Sequence, residues 1–171
     1  MSELSKVPVM IEDILADSSI IRKVAQSISE YKNFFFLGRQ YQLPIAHESS
    51  LKLKEITYFH SESYPSGELK HGPLALIDTT IPSVLFVPND LMFEKNSSSI
   101  QEIKAREGKV ITISDQEIHN SDRNIQIHST IDEIYPFLTA VVGQLLAYHV
   151  ADILGKDIDK PRNLAKSVTV K

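Results

Sequence analysis

Asn33-Phe34-Phe35-Phe36-Leu37-Gly38 is a short apolar run with three phenylalanines, and the glycine ends it. It reads as a buried strand followed by a turn. A helix follows from about Ile45 to Tyr58, and Pro44 suits its first turn, where a missing N–H leaves no bond unmade. The same order recurs downstream. Ser83–Val87 and Val110–Ile113 are β-rich runs bounded by turn residues, separated by a helix of about Met92 to Glu107 that Gly108 closes. Asn124–His128 alternates more weakly and reads as an edge strand. A long helix from about Glu133 to Leu154 carries Pro136 in its first turn and Gly155 as its stop. Upstream, Val9 to Glu30 reads as one helix, with Ile11, Ile14, Leu15, Ile21, Val24, Ala25 and Ile28 at mostly three- and four-residue spacing.

Strands separated by helices imply parallel pairing, right-handed crossovers and helices on both faces. The expected fold is therefore α/β: a three-layer, doubly wound, mostly parallel sheet of four to five strands. Residues 1–155 form a single domain in this reading and 156–171 a C-terminal tail, with Ser61–Gly72 as the other segment outside the core. In open parallel sheets ligands sit at the carboxyl ends of the strands, which sets the rim at Gly38, Pro88 and Ser114.

Composition narrows the function. Of 171 residues 42% are hydrophobic and 23% charged, with a net charge of −4 and no basic run, so no nucleic-acid partner is expected. Apolar stretches fall short of the ~18 residues of a membrane span, and no signal peptide follows Met1. A cytoplasmic location with no membrane partner is the expectation. The absence of cysteine rules out disulfides, thiolate metal sites and a cysteine nucleophile. No His/Asp/Glu set has metal-site spacing, and there is no P-loop or dinucleotide fingerprint, so neither metal nor cofactor is expected. His60, His119 and His128 lie in loop or weak-strand contexts, and His149 reads as a packing histidine.

Three features have the residue types for chemistry. Glu48, Lys52 and Glu55, spaced by four and three, share one helix face. They form either a solvated ion-pair face worth about 0.3–0.5 kcal/mol per pair, or a carboxylate poised for proton transfer with a lysine tuning it. His71 lies between two potential hinges, Gly67 and Gly72. It is either an exposed hydrogen-bonding residue or an acid–base group, histidine being the side chain best suited to that work near neutral pH. Lys166 sits in a polar, proline-started tail. It is either solubilising charge or, under a closed site, an amine able to attack a ketone.

These residues belong to three longer stretches: Glu48-Ser49-Ser50-Leu51-Lys52-Leu53-Lys54-Glu55, Gly67-Glu68-Leu69-Lys70-His71-Gly72-Pro73-Leu74-Ala75 and Asp159-Lys160-Pro161-Arg162-Asn163-Leu164-Ala165-Lys166-Ser167-Val168-Thr169-Val170. Together they resemble the isomerase region of the glucosamine-6-phosphate synthase family, the glutamine–fructose-6-phosphate amidotransferases. The resemblance covers the second half of that region, its C-terminal sugar isomerase (SIS) subdomain. It implies an SIS-type sheet and a sugar phosphate ligand, fructose 6-phosphate or glucosamine 6-phosphate. Glu55 then matches the carboxylate that moves a proton between C1 and C2 of the opened sugar, Lys52 the lysine beside it, and Glu48 a carboxylate that holds the tail. His71 matches the histidine that opens the ring in a neighbouring subunit's site, which implies a homodimer. Lys166 matches the lysine that forms an imine with the ketone, and Leu164 and Ala165 match tail residues lining that site.

The resemblance also implies what is missing: the N-terminal SIS half and a glutaminase domain with the ammonia-releasing cysteine. The family cradles phosphate with Ser/Thr-rich turns of its first half. Here the corresponding turn, Val87-Pro88-Asn89-Asp90-Leu91, has no Ser, Thr or Gly, and Asp90 opposes an anion. The expected function is the C-terminal isomerase half of an enzyme that converts fructose 6-phosphate and glutamine-derived ammonia to glucosamine 6-phosphate, the isolated chain being inactive. The alternative is a stand-alone SIS module that binds a phosphosugar or a protein partner without catalysis.

Overall fold

A computed structural model describes residues 2–164. Five strands, β1 (Asn33–Gly38), β2 (His60–Pro65), β3 (Ser83–Phe86), β4 (Val110–Ser114) and β5 (Arg123–Gln126), form one sheet. The order is β2-β1-β3-β4-β5, and every neighbouring pair is parallel. Five α-helices accompany them: α1 (Val7–Ala16), α2 (Ser19–Ile28), α3 (Gln42–Thr57), α4 (Phe93–Lys104) and α5 (Tyr135–Ile153).

Side-chain alternation along the strands makes the layers. Phe34 and Phe36 of β1, Val84 and Phe86 of β3 and Ile111 and Ile113 of β4 bury against residues of α1, α2, α3 and α5. Phe35, Leu37, Leu85 and Val110 point the other way, onto Ile100 and Ile103 of α4 and onto Leu69 and Ile77. The three-layer doubly wound fold is as expected, with five strands. Gly38 sets the first turn: a Cβ there would run into the Gln42 carbonyl, so α3 starts hard against the end of β1. Gln42 is buried and accepts a hydrogen bond from Thr139 Oγ1 at 2.8 Å, tying α3 to α5. By length and composition alone α5 is apolar enough to cross a membrane, although the sequence reading found no stretch that long. It is instead a core helix, with Leu138, Val142, Leu146 and Val150 buried.

Three readings need correction. The first helix is two, broken at Asp17, whose φ and ψ are −134° and 87°. Its carboxylate accepts the Ser19 N–H at 3.0 Å, the local bond by which Asp competes with a continuing helix. Ser61–Gly72 is not outside the core. His60–Pro65 pairs with β1 along its whole length as an edge strand, and Ser66–His71 is a 3-10 turn that buries Leu69 completely. The strand was hidden because it is polar. Its inward Ser61 is satisfied by α3, donating to the Ser50 carbonyl and lying 2.7 Å from Ser50 Oγ. After α4, Glu107 rather than Gly108 takes the left-handed backbone, at φ 60°.

His149, on α5, is 7% exposed and lies 3.1 Å by Nε2 from Ser18 Oγ. Burial first, then the Arg22 charge, hold its imidazole below the ordinary value, against the pull of Asp152. The unfolded chain therefore takes up this proton at higher pH than the folded one. The stabilisation is complete above about pH 6.5 and is lost as pH falls through the lower folded value. Urea unfolding midpoints are expected to drop between about pH 7.5 and 5.5, and His149→Gln to flatten that slope.

Candidate functional site

α3 leaves the carboxyl end of β1 and carries Glu48, Lys52 and Glu55 along one half-buried face. Lys52 Nζ lies 2.7 Å from Glu55 Oε2 and 3.7 Å from Glu48 Oε1, with the three side chains 29–43% exposed. The hydrogen bond to Glu55, then the charges of Glu55 and Glu48, hold Lys52 above the usual lysine range, against the opposing effect of burial. Lys52 is thus a fixed cation and not a neutral amine. At this exposure each pair contributes well under 1 kcal/mol to folding. What the face offers chemically is a carboxylate beside a permanent positive charge.

The tail returns to the end of the same helix. Tyr58, just past α3, has a left-handed backbone at φ 67°. Its hydroxyl oxygen accepts the Arg162 N–H at 3.0 Å. The Arg162 guanidinium lies 4.2 Å from the ring centroid, and Lys156 Nζ 5.4 Å from it. Each cation–π contact at an exposed site is worth roughly 0.5–1 kcal/mol. This clamp places the root of the tail three positions along the chain from Glu55, with Leu164 exposed just beyond it. Ala165 and Lys166 lie outside the described residues. The sequence reading missed Tyr58, because its partner is 104 residues away.

His71 is elsewhere. It ends the Ser66–His71 turn, 75% exposed, with Nε2 3.8 Å from Glu68. Leu69 pins that turn into the core shared with α4, on the face of the sheet opposite α3. A single chain therefore brings Glu48, Lys52 and Glu55 together and keeps His71 apart from them.

The rim after β3 and β4 is acidic. Asp90 accepts the Met92 N–H at 2.8 Å, and burial first, then Asp132 and Asp115, push its carboxyl above the ordinary range. Asp115 accepts the Asn89 N–H at 2.7 Å and the Tyr135 hydroxyl at 2.9 Å. Donors that would have to hold a phosphate at this turn are already given to carboxylates.

Comparison with known proteins adds to this geometry. A family model described as SIS domain matches residues 27–153. The isomerizing glutamine–fructose-6-phosphate aminotransferase of Thermus thermophilus is 44% identical over 174 residues, covering 99% of this chain and 29% of that protein. The protein of the same name from Buchnera aphidicola is 48% identical over 169 residues, covering 98% of this chain and 28% of its own length. Among solved structures, the C-terminal domain of glucosamine-fructose-6-phosphate aminotransferase from Francisella tularensis superposes with a TM-score of 0.86 at 40% identity. That match covers 92% of this chain and 46% of the other. The chain thus spans less than a third of the length of these curated relatives.

Proposed function

We propose that this chain, which belongs to the SIS domain family, is the C-terminal isomerase half of an isomerizing glutamine–fructose-6-phosphate aminotransferase. The observation that carries this reading is the identity of 44–48% along nearly the whole chain. Because the match takes in under a third of each relative, the reading requires a first SIS half and a glutaminase domain from outside these residues. Residues 1–155 are the SIS unit and 156–171 the tail.

In that assembly Glu55 takes a proton from C1 of the ring-opened fructose 6-phosphate and returns it to C2. The Lys52 cation steadies the negative charge that develops between the two steps. Lys166 condenses with the ketone to form an imine, releasing water; glutamine-derived ammonia then takes the place of the lysine nitrogen at C2 and frees the amine, and Leu164 and Ala165 line its approach. Glu48 helps hold the tail. The placement of His71 on the far face of the sheet supports a role in a partner's site, where it would open the sugar ring. The exposed Leu51, Phe137 and Tyr148 on α3 and α5 support a covering surface from another half or a second copy. A cytoplasmic, homodimeric enzyme goes with this reading. The comparisons give the non-catalytic SIS module no support.

The test joins this chain to a first half and a glutaminase domain and measures glucosamine 6-phosphate formed from fructose 6-phosphate and glutamine. Product is expected, and its absence from a folded protein would refute the reading. The isolated chain is expected to give no turnover and only weak binding. Micromolar affinity for fructose 6-phosphate in calorimetry would show that the substrate's phosphate cradle lies in this half after all.

A further inference from the structure

We propose that the cavity between the end of β1, the Ser66–His71 turn and α4 is an anion site that takes a phosphate dianion, free or as a monoester. It lies on the face of the sheet opposite Glu55, so it is separate from the acid–base cluster. Arg39 enters it directly after Gly38. The guanidinium rests against the backbone of Gly67, where an added Cβ would stand 2.7 Å from Nη1. Its one side-chain hydrogen bond among the described residues runs from Nη2 to Ser99 Oγ, at a long 3.4 Å. Among the described residues Nε is buried without an acceptor and no carboxylate lies within 4.0 Å of the guanidinium. A guanidinium has five N–H donors, and burying one unanswered is costly.

The surroundings have the same sign. Lys95 also lines the cavity and has no carboxylate partner among the described residues, while Lys70 is paired with Glu102 at 2.8 Å. Three cations therefore face one carboxylate. Ser98 also lines the cavity and is exposed; its hydroxyl donates to the Glu94 carbonyl at 3.1 Å, a bond it would exchange for one to a bound anion. The cavity is ≈ 170 Å3, and at about 30 Å3 per water it has room for a phosphate group with some hydration. A planar guanidinium with a lysine beside it is the donor set that binds phosphate by a fork of two N–H bonds. The acidic turn after β3 is the contrast: along this one carboxyl-end rim the turn after β3 is lined by Asp90 and Asp115 and the turn after β1 by Arg39.

The experiment titrates the isotope-labelled chain with sodium phosphate, with fructose 6-phosphate as a monoester, and with sodium chloride at matched ionic strength, following backbone amide shifts. Phosphate and the monoester are expected to shift Gly67 and Ser99 saturably at millimolar concentration, while chloride does not. Arg39→Lys, which keeps charge but loses the fork, is expected to weaken binding roughly 10-fold. Lys95→Ala, a surface change with little risk to folding, is expected to weaken it ~3-fold or more. Tighter binding of the ester assigns the site to a phosphorylated metabolite, and equal binding assigns it to free phosphate. Equal shifts with chloride, no saturation, or a Lys95→Ala variant that binds as the parent does would each refute the site. The readout involves no turnover, so it stands or falls apart from the acid–base reading of α3.

Discussion

Glu55→Gln, made in a protein that joins this chain to its first half, is expected to slow isomerisation of fructose 6-phosphate by about 100- to 10,000-fold. KM should change little. The amide keeps the shape of the carboxyl and can still accept from Lys52, whose Nζ now lies 2.7 Å from Oε2. What it cannot do is carry a proton between two carbons. A loss in kcat alone separates proton transfer from binding. The contrary result, a rate within ~3-fold of the parent, would return the α3 face to the plain ion-pair reading.

Gly143→Leu is expected to cost about 3 kcal/mol, at the upper end of the overpacking range. For a chain of this size that lowers the melting midpoint by roughly 6–12 °C. Gly143 faces Ser49 where α5 crosses α3, and these two helices share the most extensive contact in the fold. Even a single Cβ there would collide with Ser49 Oγ, lie 2.9 Å from Ser49 Cβ and touch the Phe86 ring at 3.7 Å. Gly143→Ala should therefore cost less than leucine, and Ser49→Gly should relieve part of it. Additive losses in that double-mutant cycle would mean that the two residues do not meet.

The sequence showed most of the sheet because β1, β3 and β4 are mostly apolar runs buried on both faces, and such runs have few other uses. It hid β2, whose burial is met by serine hydrogen bonds to α3 and not by apolar side chains. It joined α1 to α2 because apolar spacing continues across Asp17, where a side-chain bond turns the backbone. The Glu48, Lys52 and Glu55 cluster was legible, since helical spacing alone puts those residues together. The separation of His71 came from the resemblance and not from spacing, because the face to which a connection crosses depends on strand order. Arg39 offered one faint signal, a cation placed directly after a strand-ending glycine.

That separation has a genetic consequence. If each working centre takes Glu55 from one chain and His71 from another, two dead alleles need not make a dead protein. A dimer of Glu55→Gln and His71→Ala chains contains one centre with both defects and one with neither. Random reassortment makes half of all dimers mixed, so equal amounts of the two inactive proteins should regain about one quarter of parental activity. Chains that supplied both groups to their own centre would regain none.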